Sequence, residues 1–322
     1  MLTPGNANQF TIAPSMTATG GWQGYETEAV VRDEAIAFGS DGQVVGIVSH
    51  PAGGHPVAGG HTTPLGTSAP GFLLLNAGVI HRVGPHRLHV ILARRLAAHG
   101  ITCLRLDLGG IGDSVASSDA ASFRDSAVAD TRLAMTGLTQ MLGIPRFVLF
   151  GICAGADNAI ATALADERVT GIILIDPPTY ATRRSQLRHL RTGVAKRGRR
   201  ALVRWGLSLA ERRLRETAAR LARLVGRGAD PPPSGGRETP PVAIHRAQLT
   251  ALVDRGVRIL AIFSGIHELR YNHADQLFEV FPELRGRVDR AYFADANHTF
   301  TELAAQVELI DTVARWMARH HG

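Results

Sequence analysis

Three hundred and twenty-two residues, 45% apolar and 20% charged, suffice for one large α/β domain with an insertion or for two ordinary domains. A core of that size stands without staples, and only two cysteines, Cys103 and Cys153, exclude a disulfide scaffold and a Cys-rich zinc site. The net charge of +7 is unevenly spread: residues 183–238 hold sixteen cations against four acids, +12, which leaves −5 for the rest of the chain.

The first 24 residues, rich in Gly, Thr, Pro and Asn and without periodicity, read as a flexible N-terminal tail that lacks a basic-then-apolar leader. No apolar run approaches the ~20 residues of a membrane span, so the expectation is a cytoplasmic protein without a transmembrane segment. Two β-like runs, 29–38 and 44–49, flank Ser40-Asp41-Gly42, a hairpin signal. A Gly- and Pro-rich loop follows over 51–71. An alternation then begins: strand 72–75, helix 85–99 with Pro85 in its first turn and Gly100 closing it, strand 101–108, helix 122–142. Strand 147–150, helix 156–165 and strand 171–175 continue it. It resumes later with helix 245–255, strand 257–263, helix 274–281, strand 290–293 and helix 301–320.

Strands separated by helices of this length need crossover connections, hence a mostly parallel twisted sheet with helices on both faces. The opening hairpin adds antiparallel strands at one edge. The basic segment interrupts the rhythm with helices over 183–191 and 199–225 and then Asp230-Pro-Pro-Pro-Ser-Gly-Gly-Arg237. The division expected is a core of 25–182 and 245–322, with 183–244 as an Arg-rich helical cap and Pro/Gly linker. Inserted before the strand at 257–263, it would lie over the carboxyl edge of the sheet, where open α/β sheets bind ligands.

The strongest chemical signal is an apolar strand running into Gly151-Ile152-Cys153-Ala154-Gly155 and then into a helix. This is the nucleophile-elbow pattern with Cys for Ser. The turn is so tight that side chains two before and two after the nucleophile would collide, which requires Gly151 and Gly155. It also puts the sulfur at a helix N-terminus, where the dipole favours thiolate. A base for such a nucleophile approaches from a late loop on the same edge, and His298, directly after the last strand, fits. The acid that orients it should follow the strand at 257–263, which selects Glu268; Asp176, one strand earlier, is the alternative. Two backbone N–H groups, of Ala154 and of Val79 in the loop after strand 72–75, are the candidate oxyanion hole.

Gly151-Ile-Cys-Ala-Gly155, Arg105-Leu-Asp-Leu-Gly-Gly-Ile-Gly-Asp-Ser114 and Asn297-His-Thr-Phe300 resemble the α/β-hydrolase superfamily, nearest its serine-aminopeptidase-like (S33-type) branch. With Arg82-Val-Gly-Pro-His-Arg87 and the Cys elbow, the chain is similar to the exosortase-associated hydrolases of bacterial exopolysaccharide clusters. The resemblance covers 29–180 and 245–320 and implies the α/β-hydrolase fold, a Cys-His-acid triad and acyl chemistry without a cofactor. The branch's usual acid position falls on His267 here, so the acid stays open between Glu268 and Asp176. Cys for Ser also occurs in dienelactone hydrolases, polyhydroxyalkanoate synthases and some aminoacyl shuttles. The function expected is therefore a hydrolase of esters or thioesters, small or carrier-bound, with acyl transfer or a non-catalytic adaptor as alternatives.

Elsewhere the blander reading holds. Cys103 alternates into the core, and Asp113-Ser114 closes its turn as a local cap. His81, His86 and His89 have no carboxylate or thiol company and suggest no metal. The Arg-rich cap reads as a solvated helix pair or as a docking face for an acidic partner or an anionic saccharide. Nucleic acid is disfavoured, since Trp205 is the one aromatic in that segment for stacking.

Overall fold

The computed structural model describes residues 31–51, 55–56, 62–63, 69–116, 122–197, 214, 237, 239–265 and 271–321. The expected tail, most of the Arg-rich segment and Glu268 with His267 lie outside the described residues. Eight strands form one sheet: β1 Arg32–Phe38, β2 Val44–His50, β3 Gly71–Leu74, β4 Cys103–Leu106, β5 Phe147–Ile152, β6 Val169–Ile175, β7 Arg258–Ser264 and β8 Asp289–Phe293. Their spatial order is β1-β2-β4-β3-β5-β6-β7-β8. The first two junctions are antiparallel and the other five parallel. The β1–β2 hairpin closes where expected, with Gly42 donating its N–H to the Gly39 carbonyl and both glycines at positive φ.

The helices are α1 Leu88–Ala98, α2 Phe123–Leu142, α3 Ala154–Ala165, α4 Arg183–Arg197, α5 Val242–Asp254, the short α6 Gln276–Val280 and α7 Leu303–His321. Alternation along the strands divides the core in two. Leu73, Leu104, Leu149, Ile172 and Leu174 face a cluster that holds α2, α3 and α5 residues such as Leu138, Ala159 and Leu252. Phe72, Cys103, Val148, Phe150 and Ile173 face the other, with Leu92 of α1 and Leu309 and Val313 of α7. A strand buried on both faces must be apolar throughout, and β5 is buried at all six positions. Among the described residues, no helix is long and apolar enough to cross a membrane.

Two expectations need correction. Pro85 does not start α1: Pro85–Arg87 form a separate 3-10 turn, and His86 (φ 49°) and Arg87 (φ 62°) break it from the helix beginning at Leu88. A proline's fixed φ suits the first turn of either helix type, so the motif cannot tell them apart. Asp113 is not a local cap either. Its carboxylate pairs with Arg82, which also binds Asp107, while Ser114 Oγ donates to the Asp107 carbonyl (2.7 Å) and accepts the Val45 N–H (2.8 Å). Asn76 completes this buried network, bonding Asp107 Oδ1 at 3.1 Å and accepting the Leu108 N–H at 2.8 Å. The loops after β3 and β4 are thereby locked together beside the turn between β5 and α3.

Candidate active site

The turn between β5 and α3 is as tight as the glycines require. A methyl on Gly151 would overlap the Gly155 carbonyl, and one on Gly155 would stand 2.6 Å from the Asn76 carbonyl oxygen. Between them Cys153 adopts φ 56° and ψ −115°, a conformation that costs a non-glycine residue about 1–3 kcal/mol. The turn is pinned by Cys153 N–H to the Ile175 carbonyl and Ala156 N–H to the Cys153 carbonyl, both 3.0 Å. The sulfur is thus presented half-buried at the N-terminus of α3, with the Ala154 N–H directed at it.

His298 lies in the loop after β8. Its Nδ1 meets Oδ2 of Asp176 at 2.6 Å, and its other side hydrogen-bonds Cys153. Asp176 follows β6, is 4% exposed and has φ 46°. Its carboxylate is fixed by Ser264 at the end of β7, whose N–H donates to Oδ1 (2.8 Å) and whose hydroxyl donates to Oδ2 (2.7 Å). Three strand ends therefore bring Cys153, His298 and Asp176 into one chain of hydrogen bonds. The carboxylate on His298 is Asp176, the alternative acid of the sequence reading. Val79 sits at the tip of the Ala77–Ile80 turn with a 90% exposed side chain.

The neighbouring groups favour the charged forms of both side chains. The His298 hydrogen bond holds the Cys153 thiol below the ordinary thiol range, against burial, with help from Arg237, the His298 charge and the Ala154 N–H. The Asp176 bond, and next the Cys153 bond, raise His298 to about 9, again against burial. Cys103 behaves oppositely: fully buried, with its Sγ 3.4 Å from the Ile101 carbonyl, it is pushed far up by desolvation.

Sequence reasoning passes over three groups. Arg237 grips Asp157 of α3 through Nε (2.6 Å) and Nη2 (2.7 Å) and donates Nη1 to the Asp176 carbonyl at 2.7 Å. Ser264 is the third, bracketing the Asp176 carboxylate. Asp157 stands four residues after Cys153, hence on the same helix face, a legible signal. Nothing marks Arg237 out among sixteen cations. Of the three histidines near α1, His86 Nε2 meets Thr301 Oγ1 at 3.2 Å, and His89 is fully buried with neither ring nitrogen bonded. Among the described residues, no group of three or more His, Cys, Asp or Glu side chains could hold a metal ion.

No family model matches the chain, and no curated protein does. Solved structures do. The Pyrococcus furiosus esterase Pf2001 is 14% identical with a TM-score of 0.55, over 98% of this chain and 100% of that one. A putative dienelactone hydrolase from Klebsiella pneumoniae subsp. pneumoniae is 11% identical with a TM-score of 0.52, over 90% and 99%. A Mycobacterium tuberculosis puromycin-hydrolyzing peptidase is 13% identical with a TM-score of 0.51, over 91% of this chain and 40% of that one. At such identities the likeness is one of architecture: the chain has the α/β-hydrolase fold.

Proposed function

We propose that the chain is a hydrolase of esters or thioesters working through Cys153, His298 and Asp176. The observation that carries this reading is the continuous bonding from Asp176 through His298 to a sulfur held in a strained turn at a helix N-terminus. The Cys153 thiolate attacks the acyl carbonyl, and the developing oxyanion takes the Ala154 N–H and a second N–H from the loop carrying Val79. The carbon–oxygen or carbon–sulfur bond to the leaving group breaks as His298 hands it a proton, leaving a thioester on Cys153. Neutral His298 then takes a proton from water, whose oxygen attacks the thioester. The acid departs, and thiolate and imidazolium are restored. Asp176 holds the imidazole with Nδ1–H inward and stabilises its charge; it does not itself take the proton.

An acceptor alcohol or amine in place of water would make the same intermediate a transferase. A thioester aminolyses readily, so transfer is the second reading. Residues 183–244 would form the cap that chooses between them, with an acidic or anionic partner suited to its charge.

The test is mass spectrometry of the intact protein after mixing with a short-chain p-nitrophenyl ester. One acyl adduct on Cys153 is expected, lost in Cys153→Ala and slowed by about a thousandfold or more in His298→Ala. Turnover unchanged in either variant would sink the reading. Adding hydroxylamine or a simple amine distinguishes transfer from hydrolysis by the product formed.

A further inference from the structure

We propose that Arg237 is a charge-setting residue of this site: clamped by Asp157, its guanidinium keeps the Cys153 sulfur anionic when no substrate is bound. The proposal rests on the reading of Cys153 as nucleophile. Guanidinium is a planar fork, and here the fork is filled from three directions. Nε and Nη2 take both oxygens of Asp157, Nη1 takes the carbonyl oxygen of Asp176, and the group faces the Cys153 sulfur. One side chain thus spans the first turn of the nucleophile helix, the backbone of the acid and the reacting atom. Tying this stretch of chain to α3 would need only the Asp157 fork. The bond to the Asp176 carbonyl and the approach to sulfur are what a mere tie does not explain.

The balance of charge points the same way. With the sulfur ionised, three anions (Cys153, Asp176 and Asp157) share two cations, His298 and Arg237. Without Arg237 the three anions face one imidazolium, and Asp157, its partner gone, repels the thiolate. The Arg237 side chain is 24% exposed, so solvent screens this only in part. Among the described residues, Arg124 of α2 lines one cavity with Asp157 and His245, and its charge limits the loss; the other two titratable groups facing Arg237 cannot take its place. His245, which faces Arg237 from α5, is held neutral, lowered to about 4 by burial and by the Arg237 charge. Tyr180, which faces both Asp157 and Arg237, is pushed up to about 12 by burial and then by Asp157. The Ala154 N–H and the α3 dipole remain in any variant and set a floor to the loss.

The experiment is the pH profile of Cys153 alkylation by iodoacetamide, from pH 5 to 10, on the full-length protein, with the Tm of every variant recorded. In Arg237→Gln the half-maximal rate should move up by about one pH unit, a loss of about tenfold at pH values below both midpoints, while the plateau at the alkaline end stays at the wild-type level. Arg237→Lys keeps a charge but cannot hold Asp157 and the sulfur together, so its profile should shift by about half as much. The unshifted plateau separates this effect from a structural one, since a loosened site would change the rate at every pH. An Arg237→Gln profile that overlies wild type overturns the proposal and leaves Cys153 as nucleophile. Should Arg237→Gln fail to fold, Arg237→Met, which removes the charge and keeps an unbranched side chain, decides, and an unshifted Met profile overturns it. A wild-type profile with its midpoint near 8.5 would instead strike the reading on which the proposal rests.

Discussion

Replacing Asp176 by Asn tests the acid assignment most directly, because the native carboxylate is saturated with donors. Oδ1 receives the Ser264 N–H, and Oδ2 receives the Ser264 hydroxyl and His298 Nδ1. An amide has one acceptor oxygen and an NH2. Turned so that its NH2 meets the Ser264 N–H, it sets two donors against each other in a site 4% exposed, costing about 1–3 kcal/mol. Turned the other way, its NH2 meets His298 Nδ1, which must then accept, so the ring proton moves to the nitrogen that should take one from Cys153. Either arrangement removes the charge. His298 stands at about 9 against an ordinary 6.5, worth roughly 3 kcal/mol of imidazolium stabilisation at about 1.4 kcal/mol per unit, and the Asp176 bond is the largest contributor. Losing about 2 kcal/mol of it lowers the equilibrium constant for the ion pair about thirtyfold, and an inverted tautomer extends the loss in kcat/KM to about 10^3–10^4. Turnover of a short-chain thioester from pH 5 to 10, with Glu268→Gln in parallel, is the assay. Asp176→Asn within threefold of wild type, or Glu268→Gln reproducing the loss, would refute the reasoning and return the acid to Glu268.

Three further outcomes follow from the same geometry. Because His298 is raised to about 9 in the fold, its contribution to stability is complete below pH 6.5 and disappears as pH rises through 9. The Tm of wild type should therefore fall towards that of His298→Gln between pH 7 and 10, and a gap constant across that range would contradict the pairing. Gly155→Ala sets its methyl 2.6 Å from the Asn76 carbonyl oxygen, where neither backbone can yield, and should cost about 1–3 kcal/mol in urea unfolding; an unchanged midpoint would mean the elbow is looser than described. His89, fully buried with unbonded ring nitrogens, is lowered to about 3 by burial, then by the Arg105 charge. The unfolded chain then binds a proton that the fold does not, so stability falls by about 1.4 kcal/mol per pH unit below 6.5. His89→Leu should flatten that slope, as denaturant midpoints at pH 4, 5 and 6 would read out.

The alternation of strands and helices was legible because each strand buried on both faces is an apolar run that periodicity cannot miss. The ends were not. β5 runs through Gly151 and Ile152, two residues past the expected end, since glycine reads locally as a breaker while this fold uses it for a close approach. The strand–turn–helix around Cys153 and the place of His298 after β8 were legible, because both depend on which strand a residue follows. The acid depends on something else. β6 and β7 are parallel neighbours, with Ile175 beside Ile262, so a carboxylate after either strand can reach the same imidazole. Chain order favours the later loop, whereas Ser264 at the end of β7 donates to the carboxylate from the earlier one. Arg237 was illegible for a plainer reason. It is one of sixteen cations in residues 183–238, standing at the end of the Pro/Gly linker, and only the position of Asp157 after folding selects it.

Backbone strain ties these pieces together. Five non-glycine residues among those described have positive φ: His86, Arg87, Cys153, Asp176 and Phe300. Two carry the proposed chemistry, and Phe300 is two residues from His298, fully buried against Phe293. His86 bonds Thr301, the next residue along. Such conformations persist only where surroundings over-determine them. Here they are held by N–H donations from Cys153 to Ile175, from Asp176 to Ile262 (2.8 Å) and from Phe300 to Asn297 (3.0 Å). The cause is geometric. Parallel strands deliver their carboxyl ends side by side, and a side chain at such an end continues along the strand unless its backbone turns within one residue. Turning β5 at Cys153 and β6 at Asp176 aims both side chains across the edge at the loop carrying His298. A glycine at either position would relieve the strain and remove the functional group with it, so the cost of these conformations, about 1–3 kcal/mol each, is inseparable from convergence at the site.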